Sequence, residues 1–149
     1  MAETVIRTEQ QVDDFIRGLT LLGTGGGGHP HLGREYLLAH IREGRPLRWV
    51  DVSDVANDAW SCSVFGMGSI APQTPLTPEE RYELGYGDIA TTQPMTDAVG
   101  ELARHTGRDI SVIVPFELGA TNTSAPFDAA TRLGLTFVDA DYAGRAIPE

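Results

Sequence analysis

Residues 110–138 read ISVIVPFELGATNTSAPFDAATRLGLTFV. Ile110–Val114 is a near-continuous apolar run, the composition of a strand covered on both faces. Ser124 is expected to cap a helix with Pro126 near its first turn, ending at Leu133 before Gly134. Leu135–Val138 is a second buried strand. Strand, loop, helix and strand at this spacing describe a βαβ unit with a right-handed crossover. The fold class follows: α/β, layered, with a largely parallel or mixed sheet flanked by helices.

Toward the N-terminus, Met95–His105 reads as a helix with Ala98, Val99 and Leu102 on one face and Gly107 as its stop. Residues 70–94 hold Pro72, Pro75, Pro78 and Pro94 and read as a long irregular excursion with one helical turn near Glu79–Leu84. Trp60–Met67 and Leu47–Val52 are strand candidates. Leu32–Glu43 reads as a helix with Leu37, Leu38 and Ile41 inward. Thr8 and Gln11 form a capping box before Val12, Phe15, Ile16, Leu19 and Leu22, which recur at helical spacing until Gly23. Met1–Thr4 is polar and acidic, with no apolar signal region.

Between the first two helices lies LGTGGGGHPH, residues 22–31, making a Gly-rich helix–loop–helix near the N-terminus. Such a run is costly to order. It suits either a tight helix junction needing positive φ or a backbone that approaches a ligand. Free amides at a helix N-terminus favour negative charge. No lysine follows the glycines, so a Walker loop is excluded, and the loop follows a helix rather than a strand, so the dinucleotide pattern fails.

The chain has 149 residues, 41% of them apolar, which fits one domain with a real core. Its net charge of −10 argues against nucleic acid and anionic membranes as partners. A single cysteine, Cys62, excludes an internal disulfide framework and reads as a small core residue. No apolar run approaches a membrane span. The expectation is a cytoplasmic protein.

Four groups of residues could carry chemistry. Thr24, Gly25, Gly26, Gly27 and Gly28 offer backbone amides to a substrate. His29 and His31 flank Pro30 and are candidate ligands for a divalent metal such as zinc, with further ligands needed from elsewhere; contact with substrate and simple solvation of a polar loop are the alternatives. Glu117 and Asn122 lie just past the C-terminal end of a buried strand, where open α/β sheets bind ligands. Glu117 suits a general base, whereas Asn122, Thr123 and Ser124 also suit helix capping. Asp139 and Asp141 share a face if their strand continues, and Arg145 either neutralises them or grips a carboxylate or imide oxygen.

Three stretches occur in order: Leu22 to Gly28, Glu117 to Asn122, and Asp139 to Glu149. Together they resemble the N-terminal domain of the S-methyl thiohydantoin desulfurase-like proteins, a family similar in context to the hydantoinase/oxoprolinase proteins. The resemblance covers nearly the whole chain. It implies a single α/β domain over residues 1–149, whose second, β-rich domain is absent or on another chain. It further implies a hydrolase domain or subunit acting on a cyclic amide or imide of hydantoin, thiohydantoin or lactam type, inactive alone. The resemblance carries no mechanism; the polar residues at the two strand ends make Glu117, Asp139, Asp141 and Arg145 the candidate catalytic residues. The alternatives are a non-catalytic accessory subunit of a hydantoinase- or oxoprolinase-like assembly and a small-molecule binding module.

Overall fold

A computed structural model describes residues 3–66, 76–86 and 91–147. Its elements are β1 (Glu3–Ile6), α1 (Glu9–Gly23), α2 (Pro30–Arg42), β2 (Leu47–Asp51), β3 (Trp60–Cys62), α3 (Pro78–Glu83), α4 (Pro94–Thr106), β4 (Ile110–Ile113), α5 (Ala120–Leu133) and β5 (Thr136–Asp139). The sheet order is β1-β2-β5-β4-β3. β2, β5, β4 and β3 run parallel, and β1 pairs antiparallel with β2. The sheet is therefore mixed, and β4, α5 and β5 form the expected parallel unit.

Local chemistry places most helix ends. The Thr8–Gln11 capping box opens α1 reciprocally, and a second box, Thr77–Glu80, opens α3. Pro30, Pro78 and Pro94 stand in the first turns of α2, α3 and α4, where a missing N–H costs nothing. Gly107 and Gly134 close α4 and α5 in the left-handed conformation, at φ 65° and 68°.

α1, α2 and α5 pack together, with α4 against α5. Their common core is aromatic at its centre. Phe127 of α5 stacks on Phe137 of β5 at 4.2 Å and meets Trp49 of β2 edge-on at 5.9 Å, while Phe15 of α1 lies 5.4 Å from Trp49. Trp49 and Phe137 thus share the helical face of the sheet. Val50 and Thr136, one residue along, belong to the other face. There they share a groove of about 190 Å³ with Val55, Ala56 and Ala59, from the chain that returns from β2 to β3.

Several expectations need correction. Glu3–Ile6 is a strand, not only a polar terminus: four residues are too few for a periodic signal, and pairing with β2 supplies the order. α2 starts at Pro30 rather than Leu32. The regular strand from Trp60 ends at Cys62; Met67 lies outside the described residues, as does most of the proline-rich excursion. α5 begins at Ala120, so Ser124 is inside the helix and Gly119 occupies the cap. Pro126 sits within it, where the carbonyl four residues back loses its usual partner. β5 stops at Asp139, so Asp141 does not continue the strand and the two aspartates do not share a strand face.

Candidate functional site at the strand ends

The glycine loop exists because two helices meet there backbone to backbone. A methyl group on Gly27 would lie 2.2 Å from the Gly119 Cα, and one on Gly119 would lie 2.1 Å from the Gly27 Cα. A methyl on Gly33 would lie 2.6 Å from the Ala120 carbonyl oxygen. The N-terminus of α2 therefore presses on that of α5. The Gly27 carbonyl accepts from the amides of Thr121 at 3.0 Å and Asn122 at 3.1 Å. It caps α5 where the Gly119 cap has no side chain to do so. The Thr121 hydroxyl donates to the His29 carbonyl at 2.7 Å. Junction geometry accounts for Gly27 and Gly28, at φ 78° and 83°. Gly25 differs: its φ is 99°, and open space surrounds the position of a Cβ. The tip of the loop, Thr24–Gly25, is exposed to solvent.

Glu117 follows β4 and is 7% exposed. Its Oε1 accepts from the Asn122 side-chain amide at 2.5 Å, and its Oε2 accepts from the Ile147 backbone amide at 2.6 Å. The preceding carbonyl, of Phe116, accepts from the amides of Tyr142 at 3.2 Å and Ala143 at 3.1 Å. The segment after β5 is thereby laid over the end of β4. Residues 24–29, 117–122 and 139–147 gather at the C-terminal end of the parallel strands, where α/β sheets present their ligand sites.

Within this group the aspartates have separate tasks. Asp139, exposed, ends β5. Asp141 turns the chain by accepting from the Gly144 amide. Arg145 donates to the Ala146 carbonyl at 3.2 Å, and among the described residues no ion pair joins it to Asp139 or Asp141. Of the two roles open to Arg145, neutralising these aspartates is therefore not seen among the described residues. His29 serves α2 through its backbone, and its imidazole makes no capping bond. His29 and His31 are both exposed. Among the described residues no group of three His, Cys, Asp or Glu could hold a metal ion.

Two features escaped the sequence reading. Asp51 ends β2 directly opposite Asp139, and Val50 opposite Val138. Hydrogen bonds from the Ser53 hydroxyl and amide hold the Asp51 carboxyl below the usual carboxylate range. The signal was present as a repeated aromatic-Val-Asp tripeptide, Trp49–Asp51 and Phe137–Asp139. The second feature is a triad of buried His40 and Asp128 with half-buried Arg132. His40 Nε2 lies 2.7 Å from Asp128 Oδ1, and Arg132 Nε reaches both carboxylate oxygens at 2.9 Å. Burial raises the Asp128 carboxyl, but the bonds from His40 and Arg132 outweigh it and leave the group below its ordinary value. The triad ties α2 to α5 away from the loop. Asp128 and Arg132 at helical spacing were its trace in the sequence.

A groove of about 280 Å³ lies at the opposite end of the sheet between Pro46, Arg48, Gly134 and Thr136. At the strand ends Thr24, Gly25, Gly28, His29 and Asp139 are exposed, so this cluster presents a surface open to solvent. Leu21, Leu22 and Leu32, next to the glycine loop in sequence, are exposed at 77%, 58% and 48%.

The chain is similar to a protein from Chromobacterium violaceum whose crystal structure has been solved. The two share 26% identity at a TM-score of 0.67, over 99% of this chain and 37% of that one. This chain therefore spans little more than a third of that relative. No curated protein matches it. No helix among the described residues is long and apolar enough to cross a membrane. Residues 10–149 match the family described as S-Me-THD-like, N-terminal domain, in keeping with the three stretches now seen at one end of the sheet, and the chain belongs to that family.

Proposed function

We propose that this chain is a domain or subunit of a hydrolase that opens cyclic amides or imides of the hydantoin, thiohydantoin or lactam class. The observation that carries the reading is the meeting of the glycine loop with the segment after β4, to which Phe116 and Glu117 also tie the segment after β5. The amides of Gly25 and Gly28 face the ring carbonyl and stabilise the oxyanion that develops as water attacks, while those of Thr24 and Gly26 shape the tip by donating to the Leu21 and Gly23 carbonyls. Asn122 spends its amide hydrogens on Glu117, which leaves its Oδ1 beside Gly28 to accept from a ring N–H. Asp139 or Asp141 takes the proton of the attacking water. Collapse of the tetrahedral intermediate breaks the ring C–N bond, or a C–S bond in an S-substituted thiohydantoin, and the proton passes to the departing atom. Where the C–N bond breaks, Arg145 binds the carboxylate that appears; where the C–S bond breaks, a thiol departs and the ring stays closed. Glu117, with both oxygens engaged, serves by positioning. His29 and His31 stand at the rim, where a divalent ion such as zinc would need ligands from another body. A second domain or subunit closes the open surface, and the assembly works in the cytoplasm.

The test is ring opening by the complete assembly, followed as loss of the ring's ultraviolet absorbance. Asp139→Asn and Asp141→Asn are each compared with the parent. The variant that removes the base is expected to lose about 10²–10⁴-fold in kcat. Undiminished turnover in both would take the carboxylates out of the mechanism. A second reading, an accessory subunit whose partner holds the whole active site, draws on the openness of the strand-end surface and predicts that outcome.

A further inference from the structure

Glu117 is bonded through its side chain to two separate parts of the chain at once. Its Oε1 holds Asn122, in the first turn of α5, and its Oε2 holds the Ile147 amide, thirty residues away. Asn122 is itself fixed at the backbone, because its amide donates to the Gly27 carbonyl. A continuous path therefore runs from the glycine loop through Asn122 and Glu117 to the segment 142–147. Among the described residues its other ties are few, beyond the burial of Ala146. Its start is hung from the Phe116 carbonyl, Tyr142 reaches Ser61 only at 3.4 Å, and Asp141 closes a turn within the segment.

We infer that Glu117 is a latch, a positioning residue that couples the order of segment 142–147 to that of the glycine loop through Asn122. A carboxylate suits the post because it only accepts, and both of its partners only donate. With either arm removed, the carboxylate keeps a single bond and regains freedom about its side-chain torsions, so the other arm loosens too. The coupling belongs to the hydrogen-bond pattern and not to the charge. Glutamine can reproduce it: its Oε1 accepts from Ile147, its amide donates, and Asn122 turns its own amide over to receive that bond. The inference stands on geometry alone and holds whether or not the surface hydrolyses a cyclic amide.

Amide hydrogen exchange on the whole chain, resolved by NMR, reads both ends of the path without any ligand. Asn122→Ala deletes one arm at a partly exposed helical site, and is expected to speed exchange at the Ile147 amide by about tenfold, although Asn122 makes no bond to Ile147 itself. Glu117→Ala is expected to speed exchange at Ile147 and at the Thr121 and Asn122 amides together. Glu117→Gln is expected to restore protection at all three. Protection at Ile147 unchanged in Asn122→Ala would show two independent bonds and overturn the latch. Glu117→Gln as exposed as Glu117→Ala would overturn the hydrogen-bond account. If Glu117→Ala does not fold, Asn122→Ala and Glu117→Gln still decide the matter between them.

Discussion

Gly27 and Gly25 sit two residues apart in the same loop and should respond differently to the same change. Alanine at 27 meets the Gly119 backbone at 2.2 Å, and backbone cannot yield as a flexible side chain can. Gly27→Ala is expected to cost about 3 kcal/mol or more, enough to threaten the fold of a domain this size, as overpacking against rigid neighbours does. Gly25→Ala meets open space and carries only the left-handed penalty, about 1–2 kcal/mol. Thermal unfolding of the two variants checks the order. Asp128 offers a second residue-level outcome. Its carboxyl is depressed in the native state, so the unfolded chain takes up protons first as pH falls. The stabilisation it supplies is whole above the ordinary carboxylate pKa of about 4 and fades as pH drops through the lower native value. Asp128→Asn is expected to cost about 3 kcal/mol at neutral pH, because it leaves Arg132 partly buried without its charge partner. It should also flatten the acid limb of the stability–pH curve, measured by denaturant titration between neutral pH and the acid transition.

At the scale of elements, the helices and the central strands were legible where a local rule acted alone. The Thr8 box, Gly107, Gly134 and the apolar run at 110–114 each name an element boundary or core strand without help from the rest of the chain. Thr8→Ala is expected to cost about 1 kcal/mol by calorimetry, since it frees the amide of Gln11. The start of α5 was not legible, because what caps it is the carbonyl of Gly27, over ninety residues earlier. A helix capped from a distance has no local signature, so Ser124 drew the boundary to itself. β1 failed for the same reason: its order comes from β2. Within the site, the glycine loop and Glu117 were visible as unusual residues. What they bond to was not, because tertiary neighbours decide whether a carboxylate is free to act or spent on structure. The aromatic layer closes the list at this scale. Phe127→Ala opens a cavity between α5, Trp49 and Phe137, and is expected to cost about 3–5 kcal/mol in denaturant unfolding.

The molecule as a whole puts its packing and its candidate chemistry at different places. Helices cover one face of the sheet, while on the other the return from β2 to β3 shares a groove with Val50 and Thr136. The strand-end surface carries the unusual residues, and the triad stands apart from it. Disrupting His40–Asp128–Arg132 should therefore lower stability while leaving the loop tip as it is. That separation is open to measurement by comparing amide exchange at Gly25 in the parent and in Asp128→Asn. The pairing of β2 with β5 carries a different kind of information. The two strands meet late in the chain's own order, with 85 residues or so of other structure between them, and they carry the same aromatic-Val-Asp tripeptide in step. A slip of one residue would turn Asp51 toward the side that Val50 now occupies and drive Trp49 out of the aromatic layer. Each aspartate thus acts as a stop peg. Sliding past it means pushing a charge among valines, and so the central strands have one depth to which they can seat.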